Sequence, residues 1–151
     1  MDSFDRKILA ELQQNGRISL TELSDKIGIS LSPCQRRLKL LEQNGVICDY
    51  QANVNPEKVG LHFSAIVFVE IREVTLPQLQ AFENALHDIP QIIQAQRLFG
   101  KPDYMLQIVC ENLAAFQTLY DKKLATLPNI LRLSSTLVMK EIVAKRGLPL
   151  G

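Results

Sequence analysis

Ser19-Leu20-Thr21-Glu22-Leu23-Ser24-Asp25-Lys26-Ile27-Gly28-Ile29-Ser30-Leu31-Ser32-Pro33-Cys34-Gln35-Arg36-Arg37-Leu38-Lys39-Leu40-Leu41 reads as two helices joined by a tight turn. Ser19 followed by Glu22 is a capping box, in which hydroxyl and carboxylate satisfy amides left free at a helix start, and Leu20, Leu23 and Ile27 form the apolar stripe. Gly28 stops this helix. Ser32-Pro33-Cys34-Gln35 offers a second capping box, with Pro33 placed at the first helical position, where its missing amide costs nothing. The helix it opens runs to Asn44-Gly45 and turns Cys34, Leu38 and Leu41 inward, leaving Gln35, Arg36, Arg37, Lys39 and Gln43 outside.

Upstream, Phe4, Ile8, Leu9 and Leu12 make a further helical stripe, capped by Asp2 and stopped at Asn15-Gly16. Three helices in this order, with a basic outer face on the last, form the layout that carries a helix into a DNA major groove. Residues 1–50 are electrically balanced, yet Pro33 to Leu41 holds three cations and no anion. Gln35, Arg36 and Lys39 share one outward stripe, where glutamine can pair with adenine and arginine or lysine with guanine. Arg37, turned aside, and the amides and hydroxyl around Ser32 suit phosphates. A three-helix bundle with a merely solvated basic face has the same spacing.

Downstream the period changes. Val46-Ile47 and Tyr50 to Val54 read as short strands, and Asn55-Pro56-Glu57-Lys58 as a turn within a hinge. Phe63 to Ile71 is a strand, Leu76 to Ile89 a helix, Ile92 to Phe99 and Asp103 to Glu111 strands, Leu113 to Leu127 a helix and Ile130 to Ile142 a strand. Phe82, Leu86, Ile89, Pro90 and Ile92 recur 38 residues later as Tyr120, Leu124, Leu127, Pro128 and Ile130. Two right-handed βαβ halves then share one antiparallel sheet with both helices on one face, a ferredoxin-like arrangement. The expected fold class is α+β: residues 1–47 a winged helix-turn-helix, 48–61 a hinge, 62–151 a βαββαβ sandwich. The helix-free face of the sheet, with its apolar first strand, calls for a second copy, so a homodimer is expected.

The 151 residues are 46% hydrophobic with a net charge of +1, an ordinary globular composition whose total charge decides nothing about partners. Cys34, Cys48 and Cys110 form no C-x-x-C pair, and His62 and His87 stand alone, so neither metal nor disulfide framework is expected. No phosphate loop, nucleophile elbow or catalytic carboxylate pair is present, which argues against an enzyme and against a bound cofactor. No apolar run approaches the roughly 20 residues of a membrane helix, and a cytoplasmic location without membrane contact is expected. Cys34 reads as a packing residue, although a thiol near a helix start can be acidified.

Asp5-Arg6-Lys7-Ile8-Leu9, Ile29 to Leu38, Leu41-Glu42-x-x-Gly45-Val46-Ile47, Asn55-Pro56 and Gly100-x-x-Asp103-Tyr104 together resemble the Lrp/AsnC family of leucine-responsive, or feast/famine, regulators. The resemblance spans essentially the whole chain. It implies a transcription regulator on double-stranded DNA, with a domain that senses a small effector, usually an amino acid, and dimers that associate further, often to octamers. It places the effector between neighbouring dimers, at the turn Phe99-Gly100-Lys101-Pro102-Asp103-Tyr104 and at Ser134-Ser135-Thr136 of the last strand. Amides of a glycine turn suit a carboxylate, and Asp103, Ser134 and Thr136 suit an ammonium. The plainer alternative is that Gly100 makes a hairpin which Asp103 caps. Pro102 departs from the pattern, because it removes an amide from the turn. Two other function classes share parts of this pattern: an architectural protein wrapping DNA without sequence preference, and a metabolite-binding module or enzyme that ignores DNA.

Overall fold

The computed structural model describes all 151 residues, which divide into two compact units. The first combines Met1–Val54 with Ile142–Gly151, and the second is Asn55–Glu141. The last ten residues thus cluster with the first unit, although the chain reaches them from the second.

In the first unit α1 (Ser3–Gln14), α2 (Leu20–Ile27) and α3 (Leu31–Gln43) surround Ile8, Leu9, Leu23, Ile27, Cys34 and Leu41, all buried. The Asp2 carboxylate accepts from the Asp5 amide at 3.0 Å while Asp5 accepts from the Asp2 amide, a complete capping box. Ser19 Oγ accepts from the Glu22 amide at 3.1 Å, and Gly28, left-handed at φ 77°, ends α2. Gly45 ends α3 at φ 71°, where the Val46 amide donates to the Leu41 carbonyl and the Gly45 amide to that of Glu42. This pair of bonds is a Schellman closure, which satisfies carbonyls the helix leaves free.

Two expectations change here. The third helix starts at Leu31 with Ser30 as its cap, so the capping box at Ser32 does not form. Pro33 is the third helical residue and has no amide to donate, which explains why the Ser30 hydroxyl accepts no capping bond. The short strands expected at Val46-Ile47 and Tyr50–Val54 are also absent. The Ile47 amide donates back to Leu41, and the following residues have no neighbouring strand to pair with.

The second unit is a four-stranded antiparallel sheet of β1 (Phe63–Ile71), β2 (Ile92–Arg97), β3 (Tyr104–Cys110) and β4 (Ile130–Leu137), in the order β2-β3-β1-β4. Helices α4 (Leu76–Leu86) and α5 (Leu113–Lys122) fill the crossovers of the βαββαβ chain. Ala65, Val67, Val69 and Ile71 of β1 alternate into the core and meet Phe82 and Leu86 of α4 and Phe116 and Leu119 of α5. Leu124 and Leu127, the second copies of Leu86 and Ile89 in the internal repeat, are buried in the same core. The last strand stops at Leu137, short of the expected Ile142.

Pairing register fixes the opposite face, because directly opposed residues of antiparallel strands lie on one side. Ile66 opposes Gln107 and Thr136, and Phe68 opposes Met105 and Ser134. That face has a half-buried apolar centre at Ile66, Phe68 and Met105, with Gln94, Gln96, Ser134 and Thr136 towards its edges.

Candidate nucleic-acid interface and effector site

Helix α3 presents Ser32, Gln35, Arg36 and Lys39 to solvent, and none of these side chains makes a hydrogen bond or ion pair within the chain. Cys34 and Leu41 anchor the inner face of the same helix in the core, so the outward stripe is held on a rigid element. Pro33 is half-buried beside it. Leu31 and Leu40, about half exposed, flank the polar stripe and offer apolar contact of the sort a thymine methyl accepts.

Arg37 behaves differently. Its Nη1 donates to Asp2 Oδ2 at 2.7 Å and to Asp5 Oδ1 at 3.1 Å, and its guanidinium lies 5.3 Å from the centre of the Phe4 ring. The capping box of α1 therefore doubles as a clamp on α3, and the guanidinium expected on a phosphate is engaged inside the protein. The Asp5 amide, and after it Arg37, holds the Asp2 carboxyl below its ordinary range; those same carboxylates raise the pKa of Arg37. Sequence spacing gave no sign of this contact, which joins residues 35 and 32 positions apart. Burial pushes the Cys34 thiol up, the reverse of the acidified thiol a redox sensor needs.

In the second unit the residues expected around an effector divide into three places. Gly100, at φ 139°, and Pro102, after a cis peptide bond, lie in the β2–β3 turn. Asp103 closes that turn: its amide donates to the Val69 carbonyl at 2.9 Å, its carbonyl accepts from the Leu98 amide at 2.7 Å, and Oδ2 accepts from the Ile71 amide at 2.9 Å. One carboxylate oxygen is thus committed to the backbone at the end of β1, not to the β2–β3 turn itself. Tyr104 points the other way, into the helix-covered core, with its ring 4.6 Å from that of Phe82. Its hydroxyl is buried without a hydrogen-bond partner, and burial is the first cause of its raised pKa. Ser134 and Thr136 are exposed on the helix-free face, whereas Ser135, opposite Val67, lies on the helix side. Strand β1 separates the turn-bearing β3 from β4, so the two segments stand about 10 Å apart, two interstrand spacings, within one chain.

An ion pair that spacing did not reveal borders this region: Arg97 donates from Nη2 to Glu83 Oε2 at 2.6 Å and Oε1 at 2.8 Å, joining β2 to α4. His62 sits against Glu57 at 2.6 Å, and the exposed His87 ends α4, so neither histidine meets a set of metal-ligating side chains.

Two family models match successive parts of the chain. Residues 1–47 match a model of winged helix-turn-helix DNA-binding domains, and residues 64–148 match the Lrp/AsnC ligand binding domain. The Bkd operon transcriptional regulator of Pseudomonas aeruginosa is 33% identical over 150 residues, covering 99% of this chain and 98% of that protein. The leucine-responsive regulatory protein of Rhizobium meliloti is 35% identical over 142 residues, with 94% and 91% covered. Among solved structures, a transcriptional regulator of Neisseria meningitidis in complex with L-Met superposes with a TM-score of 0.94 at 35% identity, covering 99% of this chain and 97% of that one. An AsnC family regulator from Agrobacterium tumefaciens gives the same TM-score of 0.94 at 31% identity. The open reading stripe of α3, the βαββαβ unit beyond it and these likenesses over nearly the full chain lead to one conclusion: the chain belongs to the Lrp/AsnC family, transcription regulators with a DNA-binding helix-turn-helix and a ligand-binding domain.

Proposed function

We propose that this regulator reads a pseudo-palindromic duplex as a homodimer, with α3 of each copy in the major groove and the two reading heads about one helical turn, roughly 34 Å, apart. The observation that carries this is the unpartnered stripe Gln35, Arg36 and Lys39 on a helix anchored by Cys34 and Leu41. Gln35, Arg36 and Lys39 read base edges, while Ser32 and the backbone beside Pro33 meet phosphate. Arg37 acts as a positioning residue: tied to Asp2 and Asp5, it fixes the angle at which α3 leaves α1. The apolar centre of the helix-free sheet face supports dimerisation through the second unit, and dimers associating further, to an octamer, follow the habit of the family.

The effector is an amino acid, a reading supported by the L-Met complex of the Neisseria relative. It binds between copies, with the Gly100–Asp103 turn supplied by one chain and the Ser134–Thr136 segment by a neighbour, because a single chain keeps them apart. Effector binding shifts assembly or head spacing through unequal affinity for two states. The protein works where its DNA is, in the cytoplasm, and no helix is long and apolar enough to cross a membrane.

Two measurements test the reading. Competition between a selected operator and random duplex at fixed salt should favour the operator by about a thousandfold or more; a ratio near one would make the protein a general DNA organiser. A thermal-shift screen of the twenty amino acids, L-methionine among them, should raise the melting point by mass action for at least one. No shift with any of them refutes the sensing role.

A further inference from the structure

A face of α1 beside the buried Leu9 carries Arg6, Ala10 and Gln13, spaced i, i+4, i+7 and therefore in one line. The segment Arg146–Leu150 lies against it. Gln13 uses both ends of its side-chain amide on one residue: Nε2 donates to the Leu148 carbonyl at 3.1 Å, and Oε1 accepts from the Leu148 amide at 2.6 Å. Arg6 Nη1 donates to the Leu150 carbonyl at 2.9 Å. The Leu150 side chain packs against the buried cluster that includes Ile8 and Cys34. Gly147 lies so close that a Cβ there would come 3.1 Å from Gln13 Cδ and Oε1. Pro149, between the two recognised residues, fixes its own φ and lowers the entropy lost on docking. The peptide backbone is thus read much as a strand is read by a neighbour, with one apolar anchor.

We infer that this face of α1 is a peptide-docking surface whose occupant is the chain's own segment Arg146–Leu150, and that the docking is a second tether on the DNA-reading unit. The first tether is the passage through Val54 and Asn55; the second leaves the sensing unit after β4, the strand that carries Ser134–Thr136, and ends on α1. A body held by one flexible connector samples many orientations, and a second attachment removes most of them. The docked segment thereby sets how strictly the two heads of a dimer keep their spacing, and it joins the strand of the proposed effector site to the reading unit. Docking itself needs no DNA; only its effect on spacing rests on the dimeric reading proposed above.

The test uses the full-length protein, its Gln13→Ala variant and its Gly147→Val variant. Amide hydrogen exchange at Leu148 should be about tenfold or more slower than in an unstructured peptide, and Gln13→Ala should return it to the unstructured rate. In DNA competition, duplexes with half-sites one helical turn apart compete against duplexes with about five extra base pairs between the half-sites. Both variants should lose about tenfold of the wild-type discrimination while binding a single half-site as wild type does. Exchange at the free-peptide rate in the wild-type protein overturns the docking. Protection of Leu148 with unchanged spacing discrimination in both variants overturns the tether. A wild-type protein indifferent to spacing fails the dimeric reading and with it the tether, while Leu148 exchange still decides the docking.

Discussion

Tyr104→Phe is expected to stabilise the second unit, a direction opposite to that of most core substitutions. The side chain is 1% exposed, its ring rests on Phe82, and its hydroxyl has no hydrogen-bond partner. Arg97, the cation that acts on it, has its guanidinium committed to both oxygens of Glu83. An unpaired buried hydroxyl costs about 1–3 kcal/mol, and phenylalanine keeps the ring contacts while removing the polar atom. Because Arg97 offsets part of the cost electrostatically, the gain should fall at the lower end, about 1 kcal/mol. For a domain of this size that is roughly 4–8 °C in melting temperature. Urea unfolding monitored by circular dichroism should show a higher midpoint at an unchanged slope. The same variant should keep any effector-induced thermal shift, because Tyr104 faces α4 and not the turn surface. A lower midpoint would show that the hydroxyl has a partner, and a lost effector shift would place it in the ligand site.

Arg36→Ala should cost about 1–3 kcal/mol of discrimination between operator and altered operator, measured by competition at constant salt, with little change on random DNA. Arg37→Ala should weaken binding to every sequence and lower the melting temperature of the first unit together, since it releases α3 from Asp2 and Asp5; lost discrimination with intact stability would instead make Arg37 a base reader. The Asp2 carboxyl is held below its ordinary value of 3.8, so its stabilisation is present above that value and disappears as pH falls through the lower folded value. Asp2→Asn should accordingly be less stable than wild type near neutrality, and the difference should vanish in acid; a difference constant across that range would dismiss the ionic clamp.

Helix and strand identities were legible from the chain because each has its own apolar period. Leu20, Leu23 and Ile27 dictate α2, and the 38-residue echo dictates two crossovers onto one sheet face. Helix starts were less secure. Both Ser30 and Ser32 suit a cap, and only the accommodation of Pro33 three residues into the helix settles which one serves. The residues after α3 carry strand-like composition, yet composition does not supply a partner strand, and in one chain none is there.

What the amino-acid order determined by itself was local: periodicity, stops at Gly28 and Gly45, and a helix whose outward side chains are cationic and polar. What the tertiary structure alone decided was which of those side chains remain free. Arg36 and Arg37 are neighbours of one chemistry, but folding brings α1 against α3 and turns Arg37 onto Asp2 and Asp5, leaving Arg36 open. Asp103 and Tyr104 likewise adjoin in sequence, and the strand pleat sends one to the turn and the other beneath α4. The physical reason is the same in both pairs: a one-residue step rotates a side chain by about 100° on a helix and 180° on a strand, and only long-range packing says what waits there.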